Sequence, residues 1–220
     1  SLVHDDLPAM DNDSLRRGLP TTHVKYGEDI GILTGDSLLN YAYEIVFKTA
    51  LNVGKIDNEY AVKVLKAGEE LSRSAGLYGM ISGQTLDVIK TGHPISKEEL
   101  DFIFDLKTGA LIRASLKIGA ILAGCTDDEL AKIEKAGKLI GLAFQIRDDM
   151  LDEIGKEEDI GKPVHSDADN MKTTYVSLYG LEKAQEDVES YSSEAIEILK
   201  SLGNNEFLTE LITYLTVRNK

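Results

Sequence analysis

The chain has no tryptophan, one cysteine and only four prolines among 220 residues, and its basic groups are heavily outnumbered by acidic ones. A lone Cys125 excludes an intrachain disulfide framework and a zinc site built from several thiolates, and an extracellular home gains no support. A reducing cytoplasm is the expectation. Lys and Arg total 24 against 38 Asp and Glu, and the net charge of -14 argues against nucleic acid or an anionic membrane surface as the main partner. An anionic small molecule stays open if metal ions or local basic residues receive it. The most apolar stretch, ALIRASLKIGAILAG at 110–124, is interrupted by Arg113 and Lys117, so no stable membrane insertion is expected. The opening SLVHDD lacks the basic start and apolar core of a signal peptide and reads as the last turn of a helix already under way.

Between the prolines (Pro8, Pro20, Pro94, Pro163) apolar residues recur at three and four rather than at two. Residues 28–49 and 58–75 read as amphipathic helices. SKEE at 96–99 has the form of a capping box, and the helix it opens is predicted to run to Gly124; TDDE at 126–129 repeats the device for a helix reaching about Ile154. Further helices are predicted at 171–180, 182–202 and 205–217. No segment alternates convincingly at period two, so the fold class is all-α, one large bundle of long helices.

What is present in excess is acid in two places. Residues 4–18, HDDLPAMDNDSLRRG, hold four aspartates within nine positions. Two carboxylates about 5 Å apart repel by roughly 3 kcal/mol at an effective dielectric near 20, so convergence needs a cation; splayed in water they form an unremarkable acidic loop. Asp5, Asp6 and Asp11 do not share a face on an ideal helix. Pro8 disfavours helical backbone at Leu7 and breaks the hydrogen-bond ladder, which lets the chain bulge and bring Asp11 back. A calcium loop is excluded, since counting from Asp11 puts Arg16 at the tight-turn glycine and Thr22 at the bidentate glutamate. The second cluster, QIRDDMLDEIG from Gln145, places Asp148, Asp149 and Asp152 on one side of a helix, with Gln145 one turn earlier on the same side. Magnesium prefers a few carboxylates, water and substrate phosphate oxygens. Two such acidic sets, with Arg16, Arg17, Lys107, Lys162 and Lys172 nearby, suit a diphosphate bridged by several magnesium ions.

HDDLPAMDNDSLRRGLPTTH resembles the first aspartate-rich motif of the short-chain trans-polyprenyl diphosphate synthases, in the Asp-Asp-x-x-x-x-Asp form of bacterial farnesyl diphosphate synthases. GLAFQIRDDMLDEIGKEEDIGKPVHSDADNMKTTYVSLYG resembles the second motif and the loop after it, while GMISGQTLDV and LKTGALIRAS match the family's middle helices. The resemblance covers essentially residues 1–220 as a single domain. It implies an isoprenoid-synthase bundle around a deep central cavity, further helices before residue 1 carrying a basic Gly-Lys-x-x-Arg-type motif, and a homodimer.

By the same resemblance, Asp5, Asp6, Asp11, Asp148 and Asp149 hold magnesium, three ions bridged by the substrate diphosphate, with Asp152 ordering water behind them. Arg16, Lys107 and Lys162 grip the allylic diphosphate, Lys172 supports it, and Arg17 contacts isopentenyl diphosphate. Thr108 and Gln145, with the Lys107 carbonyl, face the allylic carbon; Gln84 and Asp87 lie on the adjacent helix. The implied reaction is a head-to-tail condensation of isopentenyl diphosphate with dimethylallyl or geranyl diphosphate to farnesyl diphosphate, through ionisation, condensation and elimination. Geranylgeranyl diphosphate stays open as the product, because the helix turn before Asp5 that sets the cavity floor is cut short at Ser1. A non-catalytic partner subunit is disfavoured by the intact aspartates and the Arg16–Arg17 pair, and a terpene cyclase by the same pair. His4 is expected to pack or hydrogen-bond beside the first motif, and Arg218 and Lys220 to be solvated or to close over the second diphosphate.

Overall fold

In a computed structural model, the described residues are 1–154, 173–203 and 205–217. They form α1 (Leu2–Asp5), a two-stranded ribbon of β1 (Leu15–Arg16) and β2 (Leu19–Pro20), α2 (Thr22–Tyr26), α3 (Glu28–Val53), α4 (Asn58–Ala75), α5 (Met80–Lys90), α6 (Lys97–Ile103), a π-helical turn (Phe104–Thr108), α7 (Gly109–Ala123), α8 (Asp127–Ile154), α9 (Tyr175–Tyr179), α10 (Leu181–Lys200) and α11 (Glu206–Val217). The all-α expectation holds. The exception is the ribbon, whose strands are too short to show alternation. Its turn places Arg17 at φ 53° and Gly18 at φ 76°, the two positive values that a two-residue hairpin turn of the favoured hand requires.

Both capping boxes form as the sequence predicts. Ser96 N–H donates to Glu99 (2.8 Å) and Glu99 N–H to Ser96 Oγ (3.2 Å); Thr126 and Glu129 repeat the exchange at 2.8 and 3.3 Å. The helix predicted over 96–124 is not continuous, however. Its backbone loosens to i→i+5 bonding at Phe104–Thr108, where the Gly109 N–H reaches the Phe104 carbonyl. Helix α5 carried no clear periodic signal of its own and rested on the resemblance alone; α3 extends four residues beyond the predicted end.

Helix α8 runs through the middle. Its buried face reads Ala136, Ile140, Ala143, Ile146 and Met150, a spacing of four, three, three and four, and it meets Ala184, Val188, Ala195 and Leu199 of α10. Small residues along this seam, Ala136, Ala143, Ala184 and Ala195, are of the kind that lets two helix axes approach closely. Ile146 has no exposed surface and sits among Phe104, Tyr175 and Val188. Ile146→Ala is expected to cost about 2–5 kcal/mol, read as a lower urea midpoint with an unchanged slope. Among the described residues no helix is long and apolar enough to cross a membrane.

Candidate active site

At the first acidic cluster the chain leaves α1, and the Asp11 N–H returns to the Asp5 carbonyl at 3.0 Å while the N–H groups of Met10 and Asn12 both fold onto the Leu7 carbonyl. The bulge through Pro8 thus brings Asp11 back beside Asp5. Their environments differ. Asp5 is partly buried and accepts from Gln84 Nε2 at 2.7 Å. Burial, with repulsion from Asp11 and Asp6, holds its carboxyl above the ordinary range despite the attraction of Lys107 and Arg16. Asp6 is buried and turned the other way, accepting from Arg16 Nε at 2.6 Å, with Asp13 3.6 Å from the same guanidinium. Asp11 is exposed.

The carboxylates of the first motif face different partners: Asp5 accepts from Gln84, while Oδ1 of Asp6 clamps Arg16. The hydrogen bond to Asp6, outweighing desolvation, raises the guanidinium's already high pKa. Arg17, next along, is exposed on the hairpin turn.

Opposite stands the π turn. Lys107 and Thr108 of this turn both line the cavity. Lys107 Nζ donates to Asp87 at 2.6 Å, and Thr108 Oγ1 donates to Gln145 Oε1 at 2.7 Å. Burial pulls the Lys107 ammonium down, but the combined attraction of Asp87, Asp5 and Asp11 and the Asp87 hydrogen bond leave it above its usual value, so the cation persists through the neutral range. Gly83 of α5 packs on the backbone of this turn.

Gln145 lies one turn before the second acidic trio on α8. Asp149 and Asp152 are buried and Asp148 is half-buried; one oxygen of Asp149 accepts the Tyr175 N–H at 2.6 Å. Asp5, Gln84, Lys107 and Thr108 line the mouth of a cavity of about 780 Å³, whose walls are apolar: Val88 and Ile89 of α5, Leu111 and Ile112 of α7, Phe144 of α8, and Leu211 and Leu215 of α11. Asp6, Asp11, Gln145, Asp148, Asp149 and Asp152 are not among the described residues that line it, and the hydrogen bond from Thr108 to Gln145 ties the π turn to α8 one turn before the second acidic set. His4 also lines the cavity, and its Nε2 lies 3.0 Å from the Ile32 carbonyl and 3.5 Å from Asp36. Lys162 and Lys172, with Arg218 and Lys220, lie outside the described residues.

The contacts that sequence reasoning missed are tertiary: Asp87 with Lys107, Asp105 with Arg113, and Tyr175 with both Asp149 and, through its hydroxyl, Asp187. Only Tyr175 left a trace, in the Thr174–Ser177 capping box that starts α9.

The chain matches the polyprenyl synthetase family over residues 1–214. It is 41% identical over 222 residues to the chloroplastic geranylgeranyl pyrophosphate synthase of Capsicum annuum, which covers 100% of this chain and 58% of that protein. It is 42% identical over 221 residues to the farnesyl diphosphate synthase of Micrococcus luteus, covering 100% and 73%. Among solved structures, the geranyltransferase of Helicobacter pylori complexed with magnesium and isoprenyl diphosphate aligns at a TM-score of 0.80 and 34% identity over 98% of this chain and 68% of that one. The chain spans 58%, 61% and 59% of the length of three plant relatives.

Proposed function

Because the chain belongs to the polyprenyl synthetase family and folds as its helical bundle around a central cavity, we propose that it serves a magnesium-dependent prenyltransferase that joins isopentenyl diphosphate to an allylic diphosphate, with farnesyl diphosphate as product. The observation that carries this reading is the cavity: a mouth bearing Asp5, Gln84, Lys107 and Thr108 on a long apolar interior. That is the shape of a ligand with a charged head and a hydrocarbon tail.

The donor chemistry suits magnesium. Asp5 and Asp11 offer hard carboxylate oxygens, and a cation between them would offset the burial and repulsion that raise the Asp5 carboxyl. Magnesium takes few protein carboxylates and completes its shell with water and substrate oxygens. In this reading Asp5 and Asp11 on one side and Asp148 and Asp149 on the other hold it, Asp152 lies behind them, and Asp6 serves to fix Arg16. Bound there, magnesium neutralises the diphosphate and so makes it a better leaving group.

Lys107 adds a fixed positive charge for the departing diphosphate, held in place by Asp87. The Thr108 hydroxyl and Gln145 amide oxygen offer dipoles whose negative ends favour the positive charge that grows on the allylic carbon. The double bond of isopentenyl diphosphate attacks that carbon, and a proton leaves to the released diphosphate. The apolar wall keeps water from capturing the cation. Arg16, Arg17, Lys162 and Lys172 complete the reading as diphosphate contacts. A homodimer belongs to it as well, supported by the apolar surface that α3 exposes at Leu33, Phe47 and Leu51, and a cytoplasmic location, supported by the single Cys125.

The test is to incubate the protein in its full length with magnesium, dimethylallyl diphosphate and isopentenyl diphosphate and to size the products. Farnesyl diphosphate is expected. Geranylgeranyl diphosphate, the product named for the Capsicum annuum relative, would overturn the chain length while keeping the chemistry; no condensation at all would overturn the chemistry.

A further inference from the structure

Tyr175 joins three helices by its two ends. Its N–H, the first of α9, donates to Asp149 Oδ2 on α8 at 2.6 Å. Its hydroxyl donates to Asp187 Oδ2 on α10 at 2.6 Å, and the other oxygen of Asp187 accepts from Lys183 at 2.8 Å. The ring between is buried in the core with Ile146, Met150 and Val188 and packs on Tyr179 at 4.7 Å between centroids. The Thr174–Ser177 capping box fixes the backbone around the same amide.

We propose that Tyr175 is a positioning residue for Asp149, its phenol locked by Asp187 so that its backbone N–H holds one oxygen of the second acidic trio. The nature of the donor matters. Asp6 takes its hydrogen bond from a guanidinium, a charged donor; Asp149 takes this one from a backbone amide, so the contact fixes the carboxylate's orientation without itself adding a positive charge. Tyr175 therefore aims one carboxylate of the second acidic set through a donor that is itself uncharged. This inference rests on the prenyltransferase reading for its consequence in turnover, and on the geometry alone for the hydrogen bond.

Three readouts test it: the proton shift and exchange rate of the residue-175 amide by NMR, calorimetric binding of inorganic diphosphate at saturating magnesium, and steady-state kinetics. Tyr175→Phe keeps the packed ring and removes the hydroxyl; Asp187→Ala removes its acceptor. Each is expected to move the amide upfield, to speed its exchange, and to lower both diphosphate affinity and kcat by about tenfold, with KM for isopentenyl diphosphate unchanged. The double variant should be no worse than either single, and Asp187→Asn, which keeps an acceptor oxygen, should restore most of the effect. An unshifted amide in Tyr175→Phe overturns the inference whether or not the wild type turns over. So do losses that multiply in the double variant, or a kcat that falls only with the folded fraction. A wild type that makes no product while the amide shifts as expected counts against the functional reading alone.

Discussion

Asp5→Asn is expected to abolish most prenyl transfer, by about 10³-fold, while leaving the protein at least as stable as before. Asparagine keeps the oxygen that accepts from Gln84 and removes only the charge. That charge is costly in the folded chain: burial and the neighbouring Asp11 and Asp6 raise the Asp5 carboxyl above its ordinary value. A group that binds its proton more tightly folded than unfolded makes stability fall as pH rises through the interval between the two values. The wild type bears that penalty at neutral pH, and the variant loses both the penalty and its part of the pH dependence. Urea unfolding between pH 4 and 8 beside a product assay checks both halves. A variant that unfolds more easily at pH 7, or that retains turnover, would show that Asp5 is structural.

Gly83→Ala is expected to damage stability and turnover together. A methyl at this point of α5 overlaps the backbone nitrogen and Cα of Lys107 and the carbonyl carbon of Leu106. All three are main-chain atoms of the π turn, so relief requires moving the turn that carries Lys107 and Thr108. Overpacking of this kind costs about 1–3 kcal/mol, and a displacement near 1 Å at reacting groups lowers rates by about 10²-fold. Denaturant melts and kcat measure the two effects. Wild-type values for both would mean that the turn yields freely and is not a fixed shelf.

Much of this was legible in the residues. The four-three-three-four spacing on α8 specifies its buried face, and the two capping boxes mark helix starts that the structure reproduces. Pro8 announced the bulge that returns Asp11 to Asp5. The π turn was not legible, because Leu100, Ile103 and Phe104 continue the helical pattern into it without a break. What stabilises the irregularity is distant in sequence: the Thr108–Gln145 hydrogen bond and the close approach of Gly83. Likewise a run of aspartates records how many carboxylates there are, not that Asp6 is taken by Arg16 while Asp5 is left to Gln84. Partners 10 to 79 residues apart leave no local pattern to read.

The widened turn at 104–108 also makes the reading frame of one helix matter in three dimensions. A π turn carries one residue more than the α-helical spacing would allow, so deleting a residue there restores regular winding and swings everything on one side by about 100° about the axis. Either the buried Leu100 and Ile103 leave the core, or Lys107 and Thr108 leave the mouth of the cavity. Length is therefore a constraint of its own in this segment: the count of residues between Ile103 and Gly109 is fixed by both sets at once, over and above the Asp105–Arg113 ion pair that ties the turn to α7.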